Sequence, residues 1–201
     1  MLGPYYTNKN RIAYAGNKLF KPLKEVGAIR PPDLSHRHNE IKENEQRWRA
    51  LINIWDEIFS SSAKFMKKTN ALFFDLPITT RMISSPGALT GTILSDVDPF
   101  EIKFFNKTTF LTQSSQLYLE FAITNPKIDK VYCWEKSFRR ERADFRHLPE
   151  FTHIEFEGNI PFEENLKFQS QYVQFLVQSL IKNVQSDLRV FLKGNDIELL
   201  D

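Results

Sequence analysis

Two strand-like runs separated by a long basic segment constrain the fold more than any other part of this 201-residue chain. The first run, at 131–138, begins with apolar and aromatic residues, and the second occupies 151–157. This order predicts an antiparallel hairpin. Hairpin tips are ordinarily short and use Gly or Asn, whereas several arginines and a histidine are better suited to holding an anion. The charged residues of the tip are Arg139, Arg140, Glu141, Arg142, Asp144, Arg146 and His147.

The second run predicts a polar site on one face of the sheet. Strand side chains alternate between faces, so one face carries an aromatic ring, a histidine and two carboxylates. That face holds Phe151, His153, Glu155 and Glu157, and the opposite face holds Thr152, Ile154 and Phe156. Two carboxylates are unusual on a buried face unless it lines a polar site. A solvated hairpin with charged faces is the alternative.

A second candidate site element precedes this hairpin. The runs 101–105 and 109–113 around Asn106-Lys107 predict a shorter hairpin, and Ser114 is expected to cap a helix that continues from Gln116. Backbone N–H groups at such a helix start can meet a carboxylate, and Gln113 and Gln116 offer neutral amides. On these residues alone, local capping is the favoured interpretation of both glutamines.

Two long amphipathic helices are expected to flank the sheet. Apolar residues recur at helical spacing from Ile41 to Met66 and again over 162–184, and a short element is expected at 190–192. The fold class is therefore α+β, an antiparallel sheet flanked by helices. Residues 1–33 are polar, basic and interrupted by four prolines, which predicts an irregular N-terminal arm with a short strand or helix near 13–26. Residues 34–201 are expected to form one domain.

These motifs resemble those of a known family. Residues 138–141 and 146–155 resemble the second signature motif of class II aminoacyl-tRNA synthetases, and 111–120 is similar to the asparaginyl enzymes of the aspartyl/asparaginyl branch. The helix at 41–66 followed by a strand and Pro77 resembles the first motif, which builds the dimer interface in that family. The resemblance implies a homodimer through residues 41–77. It also implies a ligase that activates asparagine with ATP as an aminoacyl-adenylate.

The resemblance also implies roles for individual residues. Arg139 would contact the α-phosphate of ATP and is the expected catalytic residue, and Phe151 would stack on adenine. The other expected ATP-binding residues are Glu141 near the adenine amino group and Arg146 and His147 at the outer phosphates. The expected amino-acid-binding residues are Gln113, Ser114, Gln116 and Glu155. Mg²⁺ is implied as a cofactor, although its usual carboxylate ligand is not found in this chain and no metal-ligating residue is assigned.

Two positions bear on which amino acid is bound. Leu119-Glu120 matches the asparaginyl enzymes, whereas the aspartyl enzymes have a lysine at the position of Leu119, so asparagine is favoured over aspartate. The Glu-Gly pair that contacts the substrate amino group in this branch is not found. Ser85-Pro86-Gly87-Ala88 stands near its place, and Asp96 or Asp98 could supply a carboxylate instead.

The chain departs from the family pattern at both ends. Residues 1–33 are too short for the anticodon-binding barrel, so tRNA remains an open partner, and the third class II motif is not found before residue 201. We therefore expect a synthetase-like domain that is incomplete as it stands. The alternatives are an ammonia-using asparagine synthetase acting on aspartate, or a non-catalytic synthetase-like module that binds a ligand or a protein.

Composition sets the remaining limits. A net charge of +2 gives no general case for nucleic-acid binding. The single cysteine, Cys133, excludes an internal disulfide, fits a reducing compartment, and is expected to be a buried inert thiol. No apolar run approaches the ~20 residues needed to span a membrane. A cytoplasmic protein without a membrane partner is expected.

Overall fold

In a computed structural model, residues 37–81, 99–140 and 148–192 are described, together with the backbone of 5–8, 11–14 and 17–20. The three short N-terminal segments are strands β1 (Tyr5–Asn8), β2 (Arg11–Tyr14) and β3 (Asn17–Phe20). They pair antiparallel in the order β1-β2-β3. The arm expected to be irregular therefore contains a small sheet, formed between neighbouring segments. Its separation as a domain from 34–201 stays a prediction.

The first long helix is divided in two. Helix α1 (Arg37–Glu43) is followed by α2 (Glu45–Lys68), and Asn44 lies at the junction. Helix α2 packs along α4 (Phe162–Phe191), where the rings of Phe65 and Phe168 lie 5.2 Å apart. Polar contacts join the same helices, and the hydroxyl oxygens of Ser62 and Tyr172 lie 2.9 Å apart. No helix within the described ranges combines the length and apolarity needed to cross a membrane.

Helix α4 is longer than the sequence predicted. A separate short element was expected at 190–192, but α4 continues through Phe191. Its backbone departs from helical geometry at Val184, with φ of −133° and ψ of 30°, and the chain resumes the helix beyond this kink. The Val184 side chain is buried at this kink. The apolar periodicity therefore ends at a bend in the helix rather than at its end.

The central sheet contains the predicted hairpin. Strands β8 (Lys130–Phe138) and β9 (Glu150–Gly158) pair antiparallel along their whole length, and β4 (Leu72–Phe73) pairs parallel with β8 at the edge. One face of this sheet packs on α2 and α4. The buried core of that layer is Phe65, Met66, Ala71, Tyr132 and Phe168, with Ile154 and Phe156 packed against it. The α+β class with antiparallel strands flanked by helices is confirmed.

The opposite face of the sheet is covered by α3 (Gln116–Ile123). A second apolar cluster forms there from Leu119, Val131 and Cys133. Leu119 is 0% exposed, so its side chain fills the core beneath α3. Its expected effect on the choice of amino acid stays a prediction.

A third sheet has the strand order β5-β7-β6, so the middle strand is the last of the three in the chain. Its strands are β5 (Thr79–Thr80), β6 (Glu101–Phe104) and β7 (Lys107–Leu111). The turn of the β6–β7 hairpin is Phe105-Asn106, one residue earlier than expected, and both residues have positive φ. Two consecutive positive φ values are typical of the two-residue turn that matches strand twist, so turn geometry set this position. The Phe138 N–H donates to the Thr112 carbonyl at 2.8 Å, which joins the end of β7 to β8.

Cys133 is predicted to be unreactive in the folded chain. Its side chain is 1% exposed, and burial, with the nearby Glu155 and Glu135 carboxylates, raises its pKa from 9.0 to about 12. At pH 8 this shift leaves about 10³-fold less thiolate than in the unfolded chain. Labelling with a disulfide reagent should therefore be slow in buffer and complete in urea. Rapid stoichiometric labelling of the native protein would show that Cys133 is accessible.

Candidate active site

On β9, the α3-facing side of the hairpin is polar, as the alternation of this strand predicted. Ile154 and Phe156 pack into the core on the far side, while Phe151, His153 and Glu155 lie on the α3 side. The rings of Phe151 and His153 meet edge to face with centroids 5.5 Å apart. This face forms a floor that combines aromatic and ionisable groups.

Glu155 is held by two contacts on this floor. Its Oε2 accepts a hydrogen bond from the Ser115 N–H at 2.5 Å, and its Oε1 lies 3.1 Å from His153 Nε2. Burial lowers the pKa of His153; Arg139 also lowers it, and Glu155 acts in the opposite direction. The lowered pKa favours the neutral imidazole at neutral pH, with Nε2 facing Oε1 of Glu155. The Ser115 N–H that could have met a ligand carboxylate is taken by the protein's own Glu155.

The start of α3 differs by one residue from the prediction. Ser115, not Ser114, is the N-cap residue, because its carbonyl accepts the N–H groups of Tyr118 and Leu119 at 3.0 and 3.1 Å. Ser114 still contributes, since its hydroxyl accepts the Gln116 N–H at 3.2 Å. A pair of adjacent serines leaves the cap position ambiguous in the sequence.

The two predicted glutamines lie in different environments. Gln113 is buried, and its backbone carbonyl accepts the hydroxyl of Ser137 from β8. The amide of Gln116 instead donates to Glu120 at 2.8 Å, one turn along the same helix. The Gln113 backbone is therefore held against β8, whereas the Gln116 side chain forms a hydrogen bond within α3.

Arg139 and Phe151 lie together at the end of the hairpin. The guanidinium carbon of Arg139 is 5.3 Å from the centroid of the Phe151 ring. The Arg139 N–H donates to the Pro149 carbonyl at 2.9 Å, which fixes the backbone on both sides of the hairpin tip. A forked cation that lies over an aromatic ring offers a phosphate ligand and an aromatic base two complementary surfaces.

Several predicted residues cannot be placed in this geometry. Glu141, Arg146 and His147 lie outside the described residues, and so do the segment around Ser85 and the candidates Asp96 and Asp98. Their expected roles stay predictions.

One residue of this floor was missed by the sequence analysis. Glu135 of β8 is only 6% exposed, and among the described residues neither of its carboxylate oxygens has a hydrogen-bond partner. Burial raises its pKa from 4.5 to about 7, and the negative charges of Glu155 and Asp75 add to the shift. In the pairing of the two strands it stands opposite His153. The available signal was a carboxylate inside an apolar strand, on the face shared with Cys133 and Ser137.

The floor as a whole carries excess negative charge. Besides Glu135 and Glu155, burial raises the pKa of Glu157, and the charges of Glu120 and Glu155 raise it further. Arg139 is the described cation that acts on this face, through its effect on His153. The arrangement suits a ligand that presents an anionic group at the Arg139 end and a cationic or neutral group along the floor.

Comparison with known proteins shows which protein family shares this architecture. Residues 32–198, more than half of the chain, match the family model described as tRNA synthetases class II (D, K and N). The structure is also similar to asparaginyl-tRNA synthetase from Pyrococcus horikoshii complexed with asparaginyl-adenylate. That match has a TM-score of 0.71 and 22% identity, and covers 95% of this chain and 42% of the other.

A second similar structure is the asparaginyl-tRNA synthetase of Entamoeba histolytica in complex with asparaginyl-adenylate. The TM-score is 0.62 and the identity 23%, over 88% of this chain and 39% of the other. The chain thus spans about two fifths of the length of these two proteins. The family match, the hairpin and its flanking helices agree, and the chain belongs to the class II tRNA synthetase family of the aspartyl, lysyl and asparaginyl enzymes.

Proposed function

We propose that this domain activates asparagine with ATP to form asparaginyl-adenylate, as the first step of asparaginyl-tRNA synthesis. The observation that carries the proposal is the placement of Arg139 beside Phe151 at the edge of a polar floor. Resemblance to two structures that hold asparaginyl-adenylate supports it. In this proposal tRNA is the acceptor of the activated amino acid, and the protein acts in the cytoplasm, where its thiol stays reduced.

The chemistry requires positive charge at the phosphates. The carboxylate oxygen of asparagine attacks the α-phosphorus of ATP, the bond to the β-phosphate oxygen breaks, and pyrophosphate leaves. Because both reactants are anionic, a cation at the α-phosphate lowers the barrier. We assign this role to Arg139, whose planar fork can contact two oxygens. Phe151 would provide the adenine platform, with Glu141 at the adenine amino group and Arg146 and His147 at the outer phosphates.

The amino acid would lie along the floor near Gln113, Ser114, Gln116 and Glu155. Glu135, Glu155 and Glu157 make this floor acidic. A side-chain carboxylate would be repelled there, whereas the neutral side-chain amide of asparagine avoids that penalty. This favours asparagine over aspartate, and it disfavours the aspartate-dependent, ammonia-using alternative.

The resemblance implies Mg²⁺ as well, but the described residues assign no site to it. Within 37–81, 99–140 and 148–192, no three His, Cys, Asp or Glu side chains are grouped so that they could hold a metal ion. We therefore derive no step of the reaction through a metal. The proposal is tested by asparagine-dependent exchange of pyrophosphate into ATP, and absence of exchange contradicts it.

We further propose that the protein is a homodimer through residues 41–77. Helix α2 exposes an apolar stripe at Ile52, Trp55 and Phe59, and Leu72 and Phe73 of the β4 edge strand are also exposed. Exposed apolar groups concentrated on one helix and the adjoining edge strand are typical of a protein interface. The stripe and the edge strand would be covered by the same elements of a second copy.

Ile52→Glu is predicted to convert the dimer to monomer. The side chain is 61% exposed, and a carboxylate placed in an apolar interface would weaken association by about 10²-fold or more. Light scattering at micromolar concentration measures the change. Val173→Glu, at an exposed apolar position of α4, is the matched control and should leave the dimer intact. A monomeric wild-type protein at the same concentration would contradict the interface.

A further inference from the structure

Glu135 is a buried carboxylate for which the described structure supplies no counter-ion. It lies on the α3-facing side of β8 among Cys133, Ser137 and the β9 residues paired with them. Neither of its oxygens accepts a hydrogen bond, and the charged groups acting on it, Glu155 and Asp75, are both acidic. A buried carboxylate in this state is costly unless a cation or a proton neutralises it.

The described groups of the floor do not supply that charge. His153 stands opposite Glu135 in the strand pairing, but it is neutral and directs Nε2 toward Glu155. Glu155 is itself occupied by His153 and by the Ser115 N–H. Among the described residues Glu135 is therefore the carboxylate of this floor that is buried and still has its acceptor oxygens available.

The arrangement of the carboxylates also indicates which kind of cation Glu135 can bind. Among the described side chains, the carboxylates of this floor do not converge as a metal site does. An organic ammonium group needs no such convergence, because its three N–H donors can reach acceptors on different strands. We propose that Glu135 binds the primary α-ammonium group of the amino-acid substrate, on the sheet face that it shares with Glu155. This rests on the proposed function, and it supplies the amino-group anchor that the sequence lacks at the Glu-Gly position.

Protonation of Glu135 then couples ligand binding to pH. With a pKa of about 7, the empty site holds a proton on Glu135 below neutrality, and the ammonium must displace it. The titratable groups that face it are His153 and Glu155 from β9, Asp75 beyond β4 and Cys133 from β8 itself. His153 is neutral and Cys133 stays protonated, so Glu135 is the group that changes charge near pH 7. Affinity for the ammonium ligand rises as pH increases through this range.

The test compares two ligands on four proteins: wild type, two Glu135 variants and a control variant. Calorimetry in the presence of a non-hydrolysable ATP analogue measures binding of asparagine and of succinamic acid, which lacks only the α-amino group. Wild type should prefer asparagine by about tenfold or more, as expected for a hydrogen bond between charged groups. Glu135→Gln removes the charge and Glu135→Leu removes the acceptors, and both should lose most of this preference. Glu101→Gln, an exposed carboxylate on β6, is the matched control and should retain it.

The outcomes separate this proposal from the proposed function. Binding of asparagine with an unchanged preference in both Glu135 variants overturns the role of Glu135 and leaves asparagine activation standing. Failure of wild type to bind asparagine overturns both. Thermal unfolding of each variant shows whether it is folded, and Glu135→Gln is expected to be at least as stable as wild type at neutral pH, because it removes a buried charge.

Discussion

Replacement of Arg139 by alanine should lower asparagine-dependent adenylate formation by about 10²–10³-fold, the range expected when one preorganised donor to a developing charge is removed. Arg139 is positioned for this role by its backbone bond to Pro149 and by the Phe151 ring under its guanidinium. The loss should fall mainly on the catalytic rate, because charge at the α-phosphate grows during the reaction. Pyrophosphate exchange measures the loss of catalytic rate, and calorimetry with ATP measures any change in nucleotide affinity.

Two further variants test whether the loss of activity is specific to the guanidinium of Arg139. Arg139→Lys keeps the charge but loses the planar fork, so it should recover only part of the activity. Arg189→Ala, an exposed arginine in the last turn of α4, is the control for general charge and should behave as wild type. Unchanged ATP affinity and unchanged exchange in Arg139→Ala would remove Arg139 from the site.

Leu119→Ala is expected to destabilise the fold by about 3 kcal/mol, the middle of the range for truncating a buried leucine. Leu119 is 0% exposed and packs with Val131 and Cys133 between α3 and the sheet. The cavity left by alanine would loosen the attachment of α3, whose first residues hold Glu155. Urea unfolding monitored by circular dichroism measures the loss as a lower midpoint.

Two controls accompany this prediction: one conserves the side-chain volume at position 119, and the other truncates an exposed leucine. Leu119→Met conserves volume and should cost less than about 1.5 kcal/mol. Leu166→Ala truncates an exposed leucine of α4 and should change the unfolding free energy by no more than about 0.5 kcal/mol. Equal stability of Leu119→Ala and Leu166→Ala would mean that the α3 face of the sheet is not a packed core.

Local patterns in the sequence predicted most of the elements that position the site. Period-two alternation assigned the two faces of β9, and helical periodicity located α2 and most of α4. These predictions succeeded because each depends on neighbours within one element. The prediction of where α4 ends was wrong, because the kink at Val184 interrupts the apolar periodicity while the helix continues.

Features that depend on two elements were not predictable in the same way. The burial of Glu135 and its lack of a partner among the described residues follow from the pairing of β8 with β9 and from the packing of α3 on the sheet. The sequence of β8 alone shows neither property. The occupation of the Ser115 N–H by Glu155 joins residues 40 positions apart, so no local pattern indicates it. The turn at Phe105-Asn106 and the cap at Ser115 were each displaced by one residue, since backbone geometry rather than residue type decided between adjacent candidates.

The measurement that tests the central claim most directly is ATP–pyrophosphate exchange on the purified 201-residue chain, with asparagine and aspartate assayed in parallel. The proposed function predicts exchange with asparagine, weaker exchange with aspartate, and loss of the asparagine signal in Arg139→Ala. Exchange with aspartate alone would contradict the role assigned to the acidic floor. Absence of exchange with both amino acids would contradict adenylate formation by this chain.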